Sequence, residues 1–401
     1  MLSTHQDRLQ KLTQKLSGSF FYYDIDALQA HINQLQHLPV TLWYALKANP
    51  LSSIIQALHK TKMRFDVASI GELEQVLKQG VSPHDILHTG PAKSFAQLQY
   101  FVEKGVRIFV IESIQQFHDI VKVAAEKRVP VQVLLRVQLA WPEAQKNVLG
   151  GHGITPFGLM SNDWVKGLAK VNLQKIPFVD VIGLHCFQWG NILSADKLYH
   201  IWHTSTTALI DLASKLDLHL RVIDLGGGLG ISYQQTHLKL TVNAVQVLLN
   251  TLKTEFPNID YWLELGRFAV GEFGCYVTKV IDRKVVADKH VLVLEGGSQH
   301  LLRPALTGQP FPCALLRKSD SLMAEFQLHG PLCTGLDQLG SCRLPDDIQK
   351  GDYLVFGQTG AYGFTESMPF FLCHTLPAEV VCADGHVSII RENKGADSWL
   401  V

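Results

Sequence analysis

The sequence predicts an α/β chain in which a (β/α)8 barrel is followed by an antiparallel β-sandwich or β-barrel domain. Three observations carry this. Between residues 36 and 275, short β-branched or aromatic runs alternate with stretches of helical spacing. Eight such runs occur there, the number that closes a parallel barrel. After residue 276 the helical periods cease, and short strands follow one another between Gly, Pro and Asp turns.

Residues 1–25 are expected to lend a strand, within "SFFYYDIDAL", to the β domain before the chain enters the barrel at 26–275. The barrel strands are "TLWYAL" (41–46), "RFDVAS" (64–69), "ILHTG" (86–90), "IFVIE" (108–112), "VQVLLRV" (131–137), "VIGLHCF" (181–187), "RVIDLGG" (221–227) and "YWLELGR" (261–267). Stretches such as "IQQFHDIVKVAAEKR" and "VNAVQVLLNTLKTEF" have helical spacing, and several end on Gly or a basic residue, as helix C-termini prefer. An open doubly wound sheet would need fewer strands or a clear topological switch. In 276–401 the strands are "YVTKVIDRK", "HVLVLE", "GDYLVFG", "AEVVCA" and "HVSIIRE". The segment 141–156, "WPEAQKNVLGGHGITP", is long for a βα connection and reads as a lid or a disordered loop.

Composition narrows the function. The chain has 401 residues, 36 basic against 36 acidic side chains, and 47% hydrophobic residues, which argues for a well-buried core and against a nucleic-acid partner. Its apolar runs are too short to span a bilayer, and the N-terminus has no apolar signal-like region. Seven scattered cysteines form neither a CxxC pair nor a metal-like spacing, so they read as reduced thiols of a cytoplasmic protein, with no metal expected.

In a barrel of this kind the chemistry lies at the C-terminal strand ends. The first strand ends in "YALKANP". Lys47 there either reaches to solvent or serves as an amine able to form a Schiff base. The seventh runs into "DLGGGLGISY", where Gly227 and Gly228 bare their backbone N–H groups; such a run is a phosphate nest or simply a tight turn. The eighth ends in "ELGR", with Glu264, Gly266 and Arg267. A buried carboxylate needs a cationic or proton-donating partner, and an arginine beside the glycine run could clamp the same phosphate. Together these groups describe a pocket for pyridoxal 5′-phosphate: Lys47 for the aldehyde, the glycines and Arg267 for the phosphate, Glu264 for the pyridine nitrogen.

The chain resembles the fold-type III pyridoxal-phosphate decarboxylases, the family of ornithine and diaminopimelate decarboxylases, whose barrel is alanine racemase-like. "FFYYDIDAL", "YALKANP", "FDVASIGEL", "HTGPAKS", "GLHC", "DLGGGLGISY", "GPLCTGLD" and "GAY" carry the resemblance in order along nearly the whole chain. It implies a homodimer with active sites at the subunit interface, where Cys333 of one subunit completes the site of the other. It also implies that Tyr362 contacts the phosphate and that Asp66 and Arg136 support the cofactor. Two departures stand out. The usual "EPGR" is "ELGR", and the diaminopimelate-type "HIGS" is "FQWG" at 187–190, so either Phe187 or His185 takes over beside the cofactor ring.

The resemblance implies an amino acid decarboxylase, with Lys47 and Cys333 as catalytic residues and Cys333 as proton donor to the α-carbon; read alone, Cys333 is an inert thiol. Relatives that take a free amine tail place an acid directly after that cysteine, whereas here the residue is Thr334. A hydroxyl does not compensate a buried ammonium. "GPLCT" and "EGGSQHLLRPAL" resemble the subgroup acting on conjugated diamino acids, such as citryl-ornithine or citryl-diaminopropionate in carboxylate siderophore biosynthesis. His300 and Arg303 would meet a polycarboxylate tail, or are structural side chains. The alternatives are a diaminopimelate decarboxylase of lysine biosynthesis and a non-catalytic, antizyme-inhibitor-like relative. A racemase is disfavoured by Glu264.

Overall fold

A computed structural model of the chain describes residues 2–140, 155–233 and 239–399. The expected lid, 141–156, lies almost wholly outside them. In chain order the elements begin with α1 (Leu2–Lys15), β1 (Phe20–Asp24), α2 (Ile25–Leu35), β2 (Thr41–Ala45), α3 (Ser52–Lys60), β3 (Arg64–Val67), α4 (Ile70–Lys78), β4 (Ile86–His88), α5 (Phe95–Glu103), β5 (Ile108–Ile111) and α6 (Ile114–Lys127). They continue with β6 (Val131–Gln138), β7 (Leu159–Met160), α7 (Ser161–Leu168), β8 (Val179–His185), α8 (Ala195–Lys215), β9 (Val222–Asp224), α9 (Val242–Glu255) and β10 (Asp260–Leu265). Then follow β11 (Gly274–Val286), β12 (Lys289–Leu294), β13 (Cys313–Leu315), β14 (Met323–His329), β15 (Gln338–Pro345), β16 (Tyr353–Gly357), β17 (Thr375–Leu376), β18 (Ala378–Ala383) and β19 (His386–Arg391).

The chain forms two compact units, Met1–Ala30 with Ser232–His237 and Ala269–Val401, and His31–Ile231 with Leu238–Phe268. The divisions fall after Ala30 and Phe268. In the second unit eight parallel strands pair in the order β5-β4-β3-β2-β10-β9-β8-β6, and β5 also pairs β6, which closes the barrel. Five helix starts have a local cause. Ser69, Ser94, Ser113, Ser194 and Thr241 accept the backbone N–H that opens α4, α5, α6, α8 and α9.

Side-chain alternation then layers the barrel interior. Trp43, Leu87, Ile108, Val110, Leu134, Ile182, Val222 and Trp262 form one buried apolar cluster, with the Trp43 and Trp262 rings 5.1 Å apart. Two residues beyond Val110, Leu134, Val222 and Trp262 stand Glu112, Arg136, Asp224 and Glu264, so the same inward face turns from apolar to polar at the strand ends. Register brings these groups level: His185 is opposite both Arg136 and Asp224.

The other unit is built on a mixed sheet, in the order β15-β14-β12-β11-β1-β18-β19 with β16 and β13 branching from β11. Most pairings are antiparallel, but β1 runs parallel to β18 and β12 parallel to β14. The N-terminal residues do more than lend β1. Leu9, Leu12 and Leu16, in and just after α1, pack on Phe20, Tyr22, Val277, Val355 and Val380, and His5 Nε2 lies 2.8 Å from Asp24.

Two loops of this unit are tied together by one carboxylate. Asp337, 3% exposed, accepts the N–H of Ser298 through Oδ1 and that of Leu332 through Oδ2, each at 2.6 Å. It therefore fixes the "GPLCTGLD" turn against the "EGGSQ" turn, where a Cβ on Gly297 would come within 2.1 Å of its Oδ1. Among the described residues, no helix is long and apolar enough to cross a membrane.

Trp43→Ala is expected to cost about 3–5 kcal/mol by emptying the barrel interior, read from denaturant unfolding; a loss near zero would contradict a packed interior. Asp337→Ala is expected to cost about 2–4 kcal/mol through two orphaned N–H groups and to speed alkylation of Cys333. Unchanged alkylation would show that the turn stands without it.

Candidate active site

The barrel strand ends gather an unusual density of charge. Lys47 follows β2 in the short helical turn Leu46–Ala48 and is exposed. Its ammonium lies near enough to Asp66, Glu72 and Glu264 to favour their ionised forms. Glu264, with its side chain 9% exposed, accepts a 3.1 Å hydrogen bond from His185 Nε2, whose own side chain is 1% exposed. Burial works against the Glu264 carboxylate, yet His185, Lys47 and Arg136 outweigh it and hold the group below the ordinary range. Burial draws His185 toward its neutral form, against the pull of Glu264.

Asp66 takes the Thr89 hydroxyl at 2.5 Å, while burial and the nearby Glu264 raise its pKa. Arg136 donates to Glu112 at 3.2 Å, and its guanidinium stacks over Phe157 at 4.7 Å. Glu112 also accepts the N–H of Gly158 at 3.1 Å and lies 3.8 Å from Lys93 Nζ. Lys93 has a fully buried side chain, donates to the Gly90 carbonyl, and is pushed down to about 8 by burial.

Beside these groups the glycine turn follows β9. A Cβ on Gly227 would sit 2.4 Å from the Glu264 carbonyl, and Gly228 has φ +97° with the Trp189 carbonyl 3.0 Å from its would-be Cβ. Only glycine fits this path. Among the described residues, no group takes the N–H of Gly227 or Gly228. Phe187 lies over the turn, its Cε2 3.9 Å from the same Gly227 position. The structure thus separates the two residues that sequence left open: His185 is spent on Glu264, and Phe187 flanks the glycines. Gly266 and Arg267 follow directly on β10, with Arg267 opening the short helix Arg267–Val270.

These residues fit pyridoxal 5′-phosphate. Bare N–H groups at a turn closed to any Cβ suit a phosphate. An ionised, nearly buried carboxylate suits a protonated ring nitrogen, and a lysine within its field suits the aldehyde.

The remaining sequence candidates belong to the sheet unit. Cys333 is exposed, and the Thr334 hydroxyl accepts the Leu336 N–H at 3.3 Å. Arg303 pairs with Glu366 at 2.8 Å and stacks over Tyr362 at 4.9 Å; its Nε is buried with no hydrogen-bond partner among the described residues. Tyr362 has φ +54°, a left-handed conformation. His300 does not answer the expectation of a substrate contact. It is 3% exposed, takes the Tyr276 hydroxyl at 2.7 Å, and donates from Nε2 to the Thr375 carbonyl at 2.9 Å. Burial lowers it to about 4, so it is a neutral structural histidine.

Sequence reasoning passed over Thr89, Lys93, Glu112 and Asp224. All four lie at or just after strand ends, and Thr89 and Lys93 stand inside "HTGPAKS". The positional rule that selected Lys47 and Glu264 would also have selected them.

Residues 25–271 match the family described as pyridoxal-dependent decarboxylase, pyridoxal binding domain. The chain is 24% identical over 412 residues to the L-glutamyl-[BtrI acyl-carrier protein] decarboxylase of Niallia circulans, covering 99% of this chain and 96% of the relative. It is 28% identical over 374 residues to the 2-[(L-alanin-3-ylcarbamoyl)methyl]-2-hydroxybutanedioate decarboxylase of Staphylococcus aureus, covering 89% and 92%. It is also 28% identical over 408 residues to the diaminopimelate decarboxylase of Vibrio cholerae, covering 99% and 95%. The crystal structure of diaminopimelate decarboxylase from Helicobacter pylori complexed with L-lysine superposes with a TM-score of 0.86 at 22% identity, over 97% of this chain and 98% of that one. With the family match spanning the whole barrel, the chain belongs to the pyridoxal-dependent decarboxylases.

Proposed function

We propose that this pyridoxal-phosphate-dependent amino acid decarboxylase acts on a diamino acid whose distal amine is already conjugated to a carboxylic acid, as in carboxylate siderophore assembly in the cytoplasm. The observation that carries the reading is Thr334, a neutral hydroxyl beside the exposed Cys333. A free distal ammonium would find no carboxylate at that position and would cost several kcal/mol to bury unpaired. In this reading Arg303, whose guanidinium lies on Glu366 and Tyr362, would meet the acidic tail. By its name, the substrate of the staphylococcal relative is a hydroxybutanedioate joined through an amide to an alanine side chain.

When bound, the cofactor supplies an electron sink for the bond to the α-carboxylate. The residues do the rest. Lys47 would hold the aldehyde. Glu264, kept ionised with the help of His185, would hold a proton at the ring nitrogen. Gly227, Gly228, Gly266, Arg267 and Tyr362 would hold the phosphate, Phe187 would lie beside the ring, and Asp66 and Arg136 would fix the surrounding charge. Cys333 would return a proton to the α-carbon. A homodimer would bring the Cys333 turn of one subunit to the barrel of the other. The exposure of Cys333 and of Leu336, 50% exposed, supports that arrangement.

The second reading, diaminopimelate decarboxylase, is favoured by the Vibrio cholerae relative at the same identity as the staphylococcal one. Arg303 could equally meet the distal carboxylate of diaminopimelate.

Carbon dioxide release decides between the two. With citryl-ornithine, citryl-diaminopropionate and free diaminopimelate offered side by side, a conjugate is expected to win in kcat/KM by about a hundredfold or more, or about 2.7 kcal/mol. Preference for free diaminopimelate would overturn the assignment. Lys47→Ala is expected to abolish the visible absorbance of the loaded protein, and a persisting band would remove Lys47 from its role.

A further inference from the structure

The barrel mouth holds one carboxyl group that the reaction does not call for. Asp224 ends β9 with 0% exposure, level with His185 on β8. Its Oδ1 accepts the N–H of Gly226 at 2.8 Å, and its Oδ2 is buried with no partner among the described residues. One oxygen of Asp224, one of Glu264 and one ring nitrogen of His185 all lie within 4.8 Å of one another.

Two carboxylates that close, in a site almost without water, do not both ionise; the pair keeps one proton. Its location follows from the donors each acid has. Glu264 receives the His185 N–H and faces Lys47 and Arg136. Asp224 has a single backbone N–H on Oδ1. The charges facing it are Glu264 on β10 and Asp66 on β3, which oppose its ionisation, and Arg136 on β6, which favours ionisation but acts more weakly than either acid. Burial acts in the same sense as the two acids.

We propose that Asp224 is a neutral carboxylic acid in the folded enzyme, its proton carried on Oδ2, and that it is a positioning residue for the Glu264 carboxylate. As a neutral acid it spares the site a second negative charge beside Glu264 and offers an O–H donor there. Through Oδ1 and Gly226 it also holds the entrance to the glycine turn. An amide can do all of this; an alkyl group or an ionised carboxylate cannot. The link to cofactor binding rests on the proposed role of Glu264, whereas the protonation state does not.

The first test needs no cofactor. Infrared difference spectra of the cofactor-free protein at neutral pH, wild type against Asp224→Asn, are expected to lose one protonated-carboxyl band, which shifts on carbon-13 labelling of aspartate. Loss of an ionised carboxylate band instead overturns the assignment. The second test is cofactor affinity by equilibrium dialysis. Asp224→Asn is expected to stay within about threefold of wild type, and Asp224→Ala to weaken binding by about tenfold or more. Equal weakening in both variants rejects the positioning role, and if Asp224→Ala does not fold, a tenfold loss in Asp224→Asn alone rejects it. Failure of the cofactor reading would appear separately, as a wild-type protein with no Lys47-dependent absorbance, and would leave the infrared result standing.

Discussion

The hydrogen bond from His185 Nε2 to Glu264 Oε1, 3.1 Å long and almost out of reach of water, is the interaction on which the barrel mouth depends. A carboxylate is costly to keep ionised in such a place. Glu264 stays ionised because the His185 imidazole interacts with it and donates to it, and because Lys47 and Arg136 lie in its field. Its neighbours are arranged around that one charge. Asp66 is raised by burial and by Glu264 itself, and Glu112 is engaged by Arg136 and Lys93. The site is thus a cluster in which cations are assigned to particular carboxylates.

The barrel makes this possible through alternation and register. Glu112, Arg136, Asp224 and Glu264 each stand two residues beyond an apolar side chain of the barrel interior, so a hydrophobic layer supports this part of the polar layer directly. Parallel pairing sets His185 level with both Arg136 and Asp224, and adjacent strands contribute Asp66 and Glu264. The glycine turn is as constrained as the charges, since Gly227 presses against the backbone of Glu264 itself. The turn proposed for the phosphate and the carboxylate proposed for the ring nitrogen are therefore built on one piece of packing. In the sheet unit Asp337 plays a comparable part, joining the turns that carry Cys333 and Ser298 through two backbone N–H groups.

Much of this was legible in the sequence. All eight barrel strands follow from the βα rhythm, because parallel strands buried on both faces read as continuous β-branched or aromatic runs. Lys47, Glu264 and the glycines stand out in the sequence because they fall at strand ends, and the structure places them there. What escaped were features fixed by long-range partners. The parallel pairings of β1 with β18 and β12 with β14 depend on how distant segments meet, not on local pattern. Helix α1 was legible in the spacing of Leu9, Leu12 and Leu16, but it was read only as lacking a signal region. His300 looked like a substrate contact because its motif is shared, yet Tyr276 and the Thr375 carbonyl claim both its nitrogens. Those partners are 24 and 75 residues away in sequence.

The central claim is that Glu264 remains an anion and holds a proton on the cofactor ring. Nitrogen-15 NMR of the protein loaded with ring-labelled pyridoxal 5′-phosphate tests it most directly. The account predicts a protonated ring nitrogen throughout the neutral pH range in the wild type, and loss of that proton in Glu264→Gln. An unprotonated ring nitrogen in the wild type, or a proton that survives the substitution, would contradict it.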